Sequence, residues 1–197
     1  MRTNINLAIT LVIFIQPVYG QLTSSLPQDE MGKITFAEVV QVEGVSKDLL
    51  YQNAHNYLTS LVENSKGLKK SSLEVIGNQE LYLPLHFNVY HEFPIKSPHG
   101  IIKYDLNVSL KDGRYRYVAS NFVFYYLKRN RYGKFVEVNG KSKPLEEPFF
   151  KGNQKLWDQH KTKVSEKVTG LAETLKAVML IPDGGPKKEI VKVNSDW

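Results

Sequence analysis

Tyr82, His86, Tyr90, Lys103, Arg114 and Arg116 are the residues whose types and spacing best suit ligand recognition in this chain. Each lies on the polar side of an alternating segment, so extended backbone turns all six toward one sheet face. Aromatic rings interleaved with Arg and Lys can stack on sugar rings or hold acidic groups through charge-assisted hydrogen bonds. A solvated sheet face with ordinary cross-strand pairs has the same composition, so both readings stand.

Catalytic chemistry finds less to work with. The five histidines are His55, His86, His91, His99 and His160. His86 and His91 are five apart on one strand and face opposite ways, so a shared metal would need a second element. His55 and His160 sit in helical stretches with no His or carboxylate at i+3 or i+4, which excludes the HExxH arrangement. There is no cysteine and no G-x-S-x-G, and the serines fall in turns, caps and tails. Glu38, Glu80, Glu92 and Asp105 are the carboxylates a glycosidase would pair across a cleft, and surface solubility explains each equally well. No metal, cofactor or catalytic residue is assigned.

An export leader is expected over residues 1–20. Arg2 supplies its positive end, Leu7 to Ile15 its apolar core, and Pro17 to Gly20 its helix-breaking, small-residue end. Cleavage after Gly20 would leave Gln21 first. Nine apolar residues are less than half of the roughly 20 a spanning helix needs, so no transmembrane span is expected after cleavage.

Of the 197 residues, 177 would then remain, with 25 basic side chains against 20 acidic ones because Arg2 is the leader's only charge. That length supports one domain without disulfides. Export makes nucleic acid an unsuitable partner for the positive excess, and leaves anionic lipid, lipopolysaccharide or acidic glycan as envelope counterparts. The missing cysteine excludes lipoprotein anchoring and thiolate metal sites.

The positioning elements follow from periodicity. Residues 21–32 read as a flexible lead-in, 33–180 as a single α+β domain, and 181–197 as a tail. Lys33 to Val42 alternates with apolar residues on both sides, as a central strand does. Ser46 is a helix N-cap with Asp48 in the first turn, Leu50, Ala54, Tyr57, Leu58 and Leu61 follow at helical spacing, and Gly67 is a stop. Ser72 to Ile76 and Glu80 to His91 flank a Gly77-Asn78 turn of the Gly-first type. A loop with Pro94, Pro98 and Gly100 precedes a strand from Ile101 to Lys111.

Asp112-Gly113 is the strongest hairpin signal, with both turn positions expected at positive φ. It sets Lys111 against Arg114, hence Leu110 against Tyr115, Val108 against Tyr117 and Leu106 against Ala119 on the core face. Continued unbroken to Leu127, that register puts Phe122, Phe124 and Tyr126 on the polar face. A bulge near Ser120-Asn121 would return them to the core. Lys128 to Lys134 is a basic turn, followed by a short extension from Phe135 to Val138 and an irregular loop from Gly140 to Pro148. Trp157, Val164, Val168, Leu171, Leu175 and Val178 mark a second amphipathic helix between Phe150 and Met179.

The stretch Ile34 to Leu58 (ITFAEVVQVEGVSKDLLYQNAHNYL) and the stretch Lys111 to Asn121 (KDGRYRYVASN) resemble the two recognisable blocks of the Bacteroidetes domain of unknown function 4468. The resemblance implies an α+β fold like that of the TATA-box-binding protein (TBP), in β-α-β-β-β-β-α order with two helices on one sheet face. It also implies export and an unassigned envelope role, and it carries no functional residues. In the related fold the uncovered face is the binding face.

These features together point to a non-catalytic, exported, envelope-associated binding module, periplasmic or secreted, that meets an envelope component or a protein partner through its open sheet face. A hydrolase of envelope glycan or peptide and an assembly subunit pairing through an exposed strand edge are the alternatives.

Overall fold

A computed structural model describes residues 26–65, 68–77, 80–91, 96–148 and 153–182. The expected leader, Gly67, Glu92 and the tail beyond Pro182 lie outside the described residues. The elements are β1 (Phe36–Gln41), α1 (Lys47–Asn64), β2 (Glu74–Ile76), β3 (Glu80–His91), β4 (Ser97–Lys111), β5 (Arg114–Arg129), β6 (Phe135–Pro144) and α2 (Gln154–Met179). They form an antiparallel six-stranded sheet in the order β1-β5-β4-β3-β2, with β6 pairing the far half of β5. Both helices pack on one face.

The hairpin between β4 and β5 has the expected register, with Leu110 opposite Tyr115, Val108 opposite Tyr117 and Leu106 opposite Ala119. Its turn differs in detail. Gly113 takes a φ of 69° while Asp112 does not enter the left-handed region. Tertiary bonds shape this turn: Val42 N–H donates to the Gly113 carbonyl at 2.7 Å, Gly113 N–H to the Val45 carbonyl at 3.0 Å, and Lys47 N–H to the Asp112 carboxylate at 2.8 Å. The chain entering α1 is thus moored to the hairpin tip. Ser46 caps α1 as expected, its hydroxyl accepting from Leu49 N–H.

Further along β5, Lys103 pairs with Val123 but Asp105 with Ser120, so Tyr104 faces two residues. This is the bulge, centred on Asn121 at φ 58°, and it returns Phe122 and Phe124 to the core at 1% and 0% exposure. With them lie Leu50, Leu58, Leu83, Leu106, Trp157 and Leu175, each fully buried and each stabilising by about 1.5–3 kcal/mol through removal from water. Trp157 also donates its indole N–H to the Glu147 carbonyl at 3.1 Å.

Several expectations are corrected. β1 is an edge strand rather than a central one, because its outer side pairs with no strand among the described residues, and Val39 is 54% exposed. Within the segment expected as a lead-in, Leu26 is buried, Gln28 bridges Ile34, and the Asp29 carboxylate accepts from Met31 and Lys33 N–H, while residues 27–33 are exposed. Pro98 and Gly100 lie inside β4, which starts at Ser97, and three residues separate paired Ile76 and Glu80. The segment after Phe135 is a full strand, β6, running through Gly140 at φ 69° to Pro144. α2 starts at Gln154.

Gly100 explains itself by contact. A Cβ there would sit 2.2 Å from a Phe124 ring carbon and 2.8 Å from the Tyr125 carbonyl oxygen. Gly170, exposed within α2, would meet nothing within 4 Å. Gly100→Ala should therefore lower unfolding free energy by about 1–3 kcal/mol through overpacking. Gly170→Ala should raise it by about 0.5–1 kcal/mol through helix propensity. Urea unfolding of the two variants beside the parent measures both.

Candidate functional site

The bulge builds the site as well as the core. After Asn121 the parity of β5 reverses, so Val123 and Tyr125 join Lys103 and Asp105 on the face the helices leave uncovered. Asp105 fixes the geometry. One carboxylate oxygen accepts the Tyr82 hydroxyl and the other the Asn121 amide, both at 2.7 Å. That bond to a carboxylate, with some help from burial, pushes the Tyr82 phenol up to about 12.

β6 contributes the other wall. Glu137 accepts from the Lys103 ammonium at 2.9 Å, and the same ammonium lies 4.3 Å from the Tyr125 ring centre. The result is a cleft of about 560 Å³ lined by His86, Lys103, Asp105, Asn121, Tyr125 and Glu137. It offers a cation, two carboxylates, an amide, an imidazole and a phenol to a ligand. Such a set recognises hydroxyls and amides by directional hydrogen bonds.

Of the six expected residues, this cleft takes His86 and Lys103, which pair directly across β3 and β4. Tyr82 stands behind it and orients Asp105. Arg114 and Arg116 are exposed at the hairpin end, opposite Lys111 and Ser109. Two residues and two strands separate Arg116 from Tyr82, about 12 Å at ordinary sheet spacings. Tyr90 pairs with Pro98 at the other end of the sheet, about 35 Å from Arg116, with Lys96 over its ring. The six do not converge.

Asn121, Tyr125 and Glu137 are the cleft residues that the sequence reading missed. Tyr125 was within reach, since a bulge that buries Phe124 must turn its neighbour outward. Glu137 required β6. Among the carboxylates first considered, Glu38 faces the helices, where Lys176 at 2.6 Å and the Tyr117 hydroxyl at 2.9 Å hold its carboxyl below the usual range. Asp105 faces the other way, so the two cannot flank one substrate. Glu80 lies on β3 opposite Ser109.

Three histidines from three elements meet beneath α2. His91 and His99 have ring centres 4.2 Å apart, and His99 Nδ1 lies 2.6 Å from His160 Nε2. Phe124 and Trp157 pack around His160, which is 3% exposed. One facing nitrogen must carry the proton and the other must not, which suits two neutral rings. Burial first and the neighbouring imidazoles second hold His99 down to about 4 and His160 to about 3. Among the described residues no group of three His, Asp or Glu is arranged to hold a metal ion.

Both imidazoles have folded values below the ordinary 6.5, so the unfolded chain takes up protons first as pH falls. Their contribution to stability is complete above pH 6.5 and drains away between pH 6.5 and about 4 to 3. His160→Phe should flatten the dependence of the urea midpoint on pH across that window. An unaltered slope in the variant would assign the acid sensitivity elsewhere.

Residues 36–125 match the family model described as domain of unknown function (DUF4468) with TBP-like fold. Among solved structures, a TBP-like protein from Parabacteroides distasonis is similar at 17% identity and TM-score 0.56, over 78% of this chain and 96% of that one. A DUF4468 family protein from Bacteroides ovatus is similar at 12% identity and TM-score 0.53, over 83% and 95%. No curated protein matches the chain. Taken with the sheet and helices above, these findings show a TBP-like fold, with residues 36–125 matching the DUF4468 family model.

Proposed function

We propose that this protein is an exported, envelope-associated binding module that takes its ligand in the cleft on the open sheet face. The observation that carries the proposal is the convergence of Lys103, Asp105, Asn121 and Tyr125 around about 560 Å³ on the face opposite the helices. Its charges are already paired: Lys103 holds Glu137, and Asp105 holds Tyr82 and Asn121. Prearranged donors and acceptors favour recognition, whereas a hydrolase needs a carboxyl poised to give or take a proton.

Two carboxylates against one lysine also make the cleft a poor seat for a phosphate backbone, in keeping with a partner other than nucleic acid. Among the described residues no helix is long and apolar enough to cross a membrane. Residues 1–20 support export by their charge and apolar pattern.

N-terminal sequencing of the protein recovered from the expressing cells' envelope or medium should read from Gln21. A start at Met1 there would end the export proposal. For the cleft, the Lys103→Ala, Tyr125→Ala double variant should lose about tenfold in affinity for isolated envelope fractions, roughly 1.4 kcal/mol. The Arg114→Ala, Arg116→Ala variant should lose far less. Unchanged capture by the first variant, with its unfolding midpoint intact, would refute the cleft as the binding surface.

A further inference from the structure

The basic turn between β5 and β6 supplies none of the residues that line the cleft. Past Tyr126, β5 no longer pairs with β4, and Leu127, Lys128 and Arg129 pair only with Glu137, Val136 and Phe135 of β6. These pairs make a two-stranded ribbon about 10 Å long. Its tip has a fixed shape. The Asn130 side-chain oxygen accepts from Tyr132 N–H at 2.9 Å and from Lys134 N–H at 3.0 Å, Asn130 N–H donates to the Lys134 carbonyl at 2.8 Å, and Gly133 takes a φ of 73°. Residues 131–136 are all exposed.

Four cations stand on this ribbon: Lys128, Arg129, Arg131 and Lys134. None of them forms an ion pair with a described residue. The ribbon's one carboxylate, Glu137, is at its base and is held by Lys103 at 2.9 Å. Paired residues of antiparallel strands point the same way, so Lys128 lies with Val136 on one face and Arg129 with Phe135 on the other. Arg131 and Lys134 complete the ring in the turn. Inside that ring Tyr132 is 70% exposed, and Phe135 and Val136 are exposed beside it. The guanidinium carbons of Arg131 and Arg129 lie 4.8 Å and 5.3 Å from the Tyr132 and Phe135 ring centres.

We infer that the end of this ribbon docks on an anionic lipid bilayer, the four cations meeting lipid phosphates while the Tyr132 ring enters the headgroup layer. Charge on both faces and at the tip suits a flat surface met end-on, whereas a nucleic acid or peptide gripped along the ribbon would need its cations on one face. Tyrosine fits the headgroup layer because its ring is apolar and its hydroxyl polar. Each Lys or Arg beside such a surface contributes about fivefold in partitioning, within a screening length of about 10 Å at 0.1 M salt. Affinity then comes from the cations and depth from the ring. The inference is independent of ligand binding in the cleft.

The chain has no cysteine, so one introduced thiol can be labelled alone. The test carries a polarity-sensitive fluorophore on Tyr132→Cys of the full protein, its aromatic rings taking the place of the phenol. Ala37→Cys, exposed on β1 and paired with Val118 far back along β5, carries the comparison label. With vesicles of phosphatidylcholine containing one-quarter phosphatidylglycerol, at about 0.1 M salt, the label at 132 should shift to the blue and the label at 37 should not. Salt at about 1 M, where screening shortens to about 3 Å, should reverse the shift. Arg131→Gln with Lys134→Gln should weaken binding at least about tenfold. Arg114→Gln with Arg116→Gln, the same charge change at the other end of β5, should weaken it far less. Any contribution of residues 1–20 is common to all these variants. The inference is overturned by an unshifted label at 132, by an equal shift at 37 or with phosphatidylcholine alone, by an equal loss from the Arg114 and Arg116 variant, or by a short DNA duplex that binds more tightly than the vesicles.

Discussion

The hydrogen bond from the Asn121 amide to Asp105 holds the point on which the molecule turns. A non-glycine residue at φ 58° is unfavourable on its own, and asparagine is among the few side chains that tolerate it. With the bulge in place, Phe122 and Phe124 reach the core and Tyr125 reaches the open face. Without it, each would exchange sides. Phe124 in turn supports Trp157 and His160 of α2 from one side, and its ring occupies the space that Gly100 leaves on β4. One backbone irregularity therefore sets the seat of the second helix and the floor of the cleft together.

How much of this was legible depends on how local each cause is. The hairpin register was legible because Asp112-Gly113 lies between two alternating segments, and the bulge because unbroken parity would have exposed two phenylalanines. Ser46 and the spacing of Leu50, Ala54 and Leu58 identified α1 for the same local reasons. β6 was not legible: its run from Phe135 to Pro144 is mostly exposed, broken by Gly140, and lacks a buried alternation. β1 reads as central by composition, yet its exposed Val39 shows that apolar residues on both sides do not place a strand inside a sheet.

The cleft was half legible for a related reason. His86 and Lys103 could be found by alternation on their own strands, whereas Glu137 joins only through its pairing with Leu127 of β5 across the basic turn. Arg114 and Arg116 share a face with them, but sharing a face does not mean sharing a site when strands of 12 to 16 residues spread it over tens of ångströms, and Tyr90, beyond a register shift in β3, lines a groove beside α2. The histidine cluster was beyond reach. His91 and His99 are near in sequence, but only the packing of α2 brings His160 onto them.

The polar groups of the open face are tied to one another. On the open face Lys103 is matched by Glu137, and Asp105 is spent on orienting Tyr82 and Asn121, so a ligand there must compete through shape and directional bonds. On the helix side Lys163 and Lys167 project from one helical stripe beside an apolar chamber, with Lys163 paired to Glu166 at 2.6 Å. The residues of α2 that line this groove are absent from the open-face cleft, while Leu85, His86 and Tyr104 of the sheet border both.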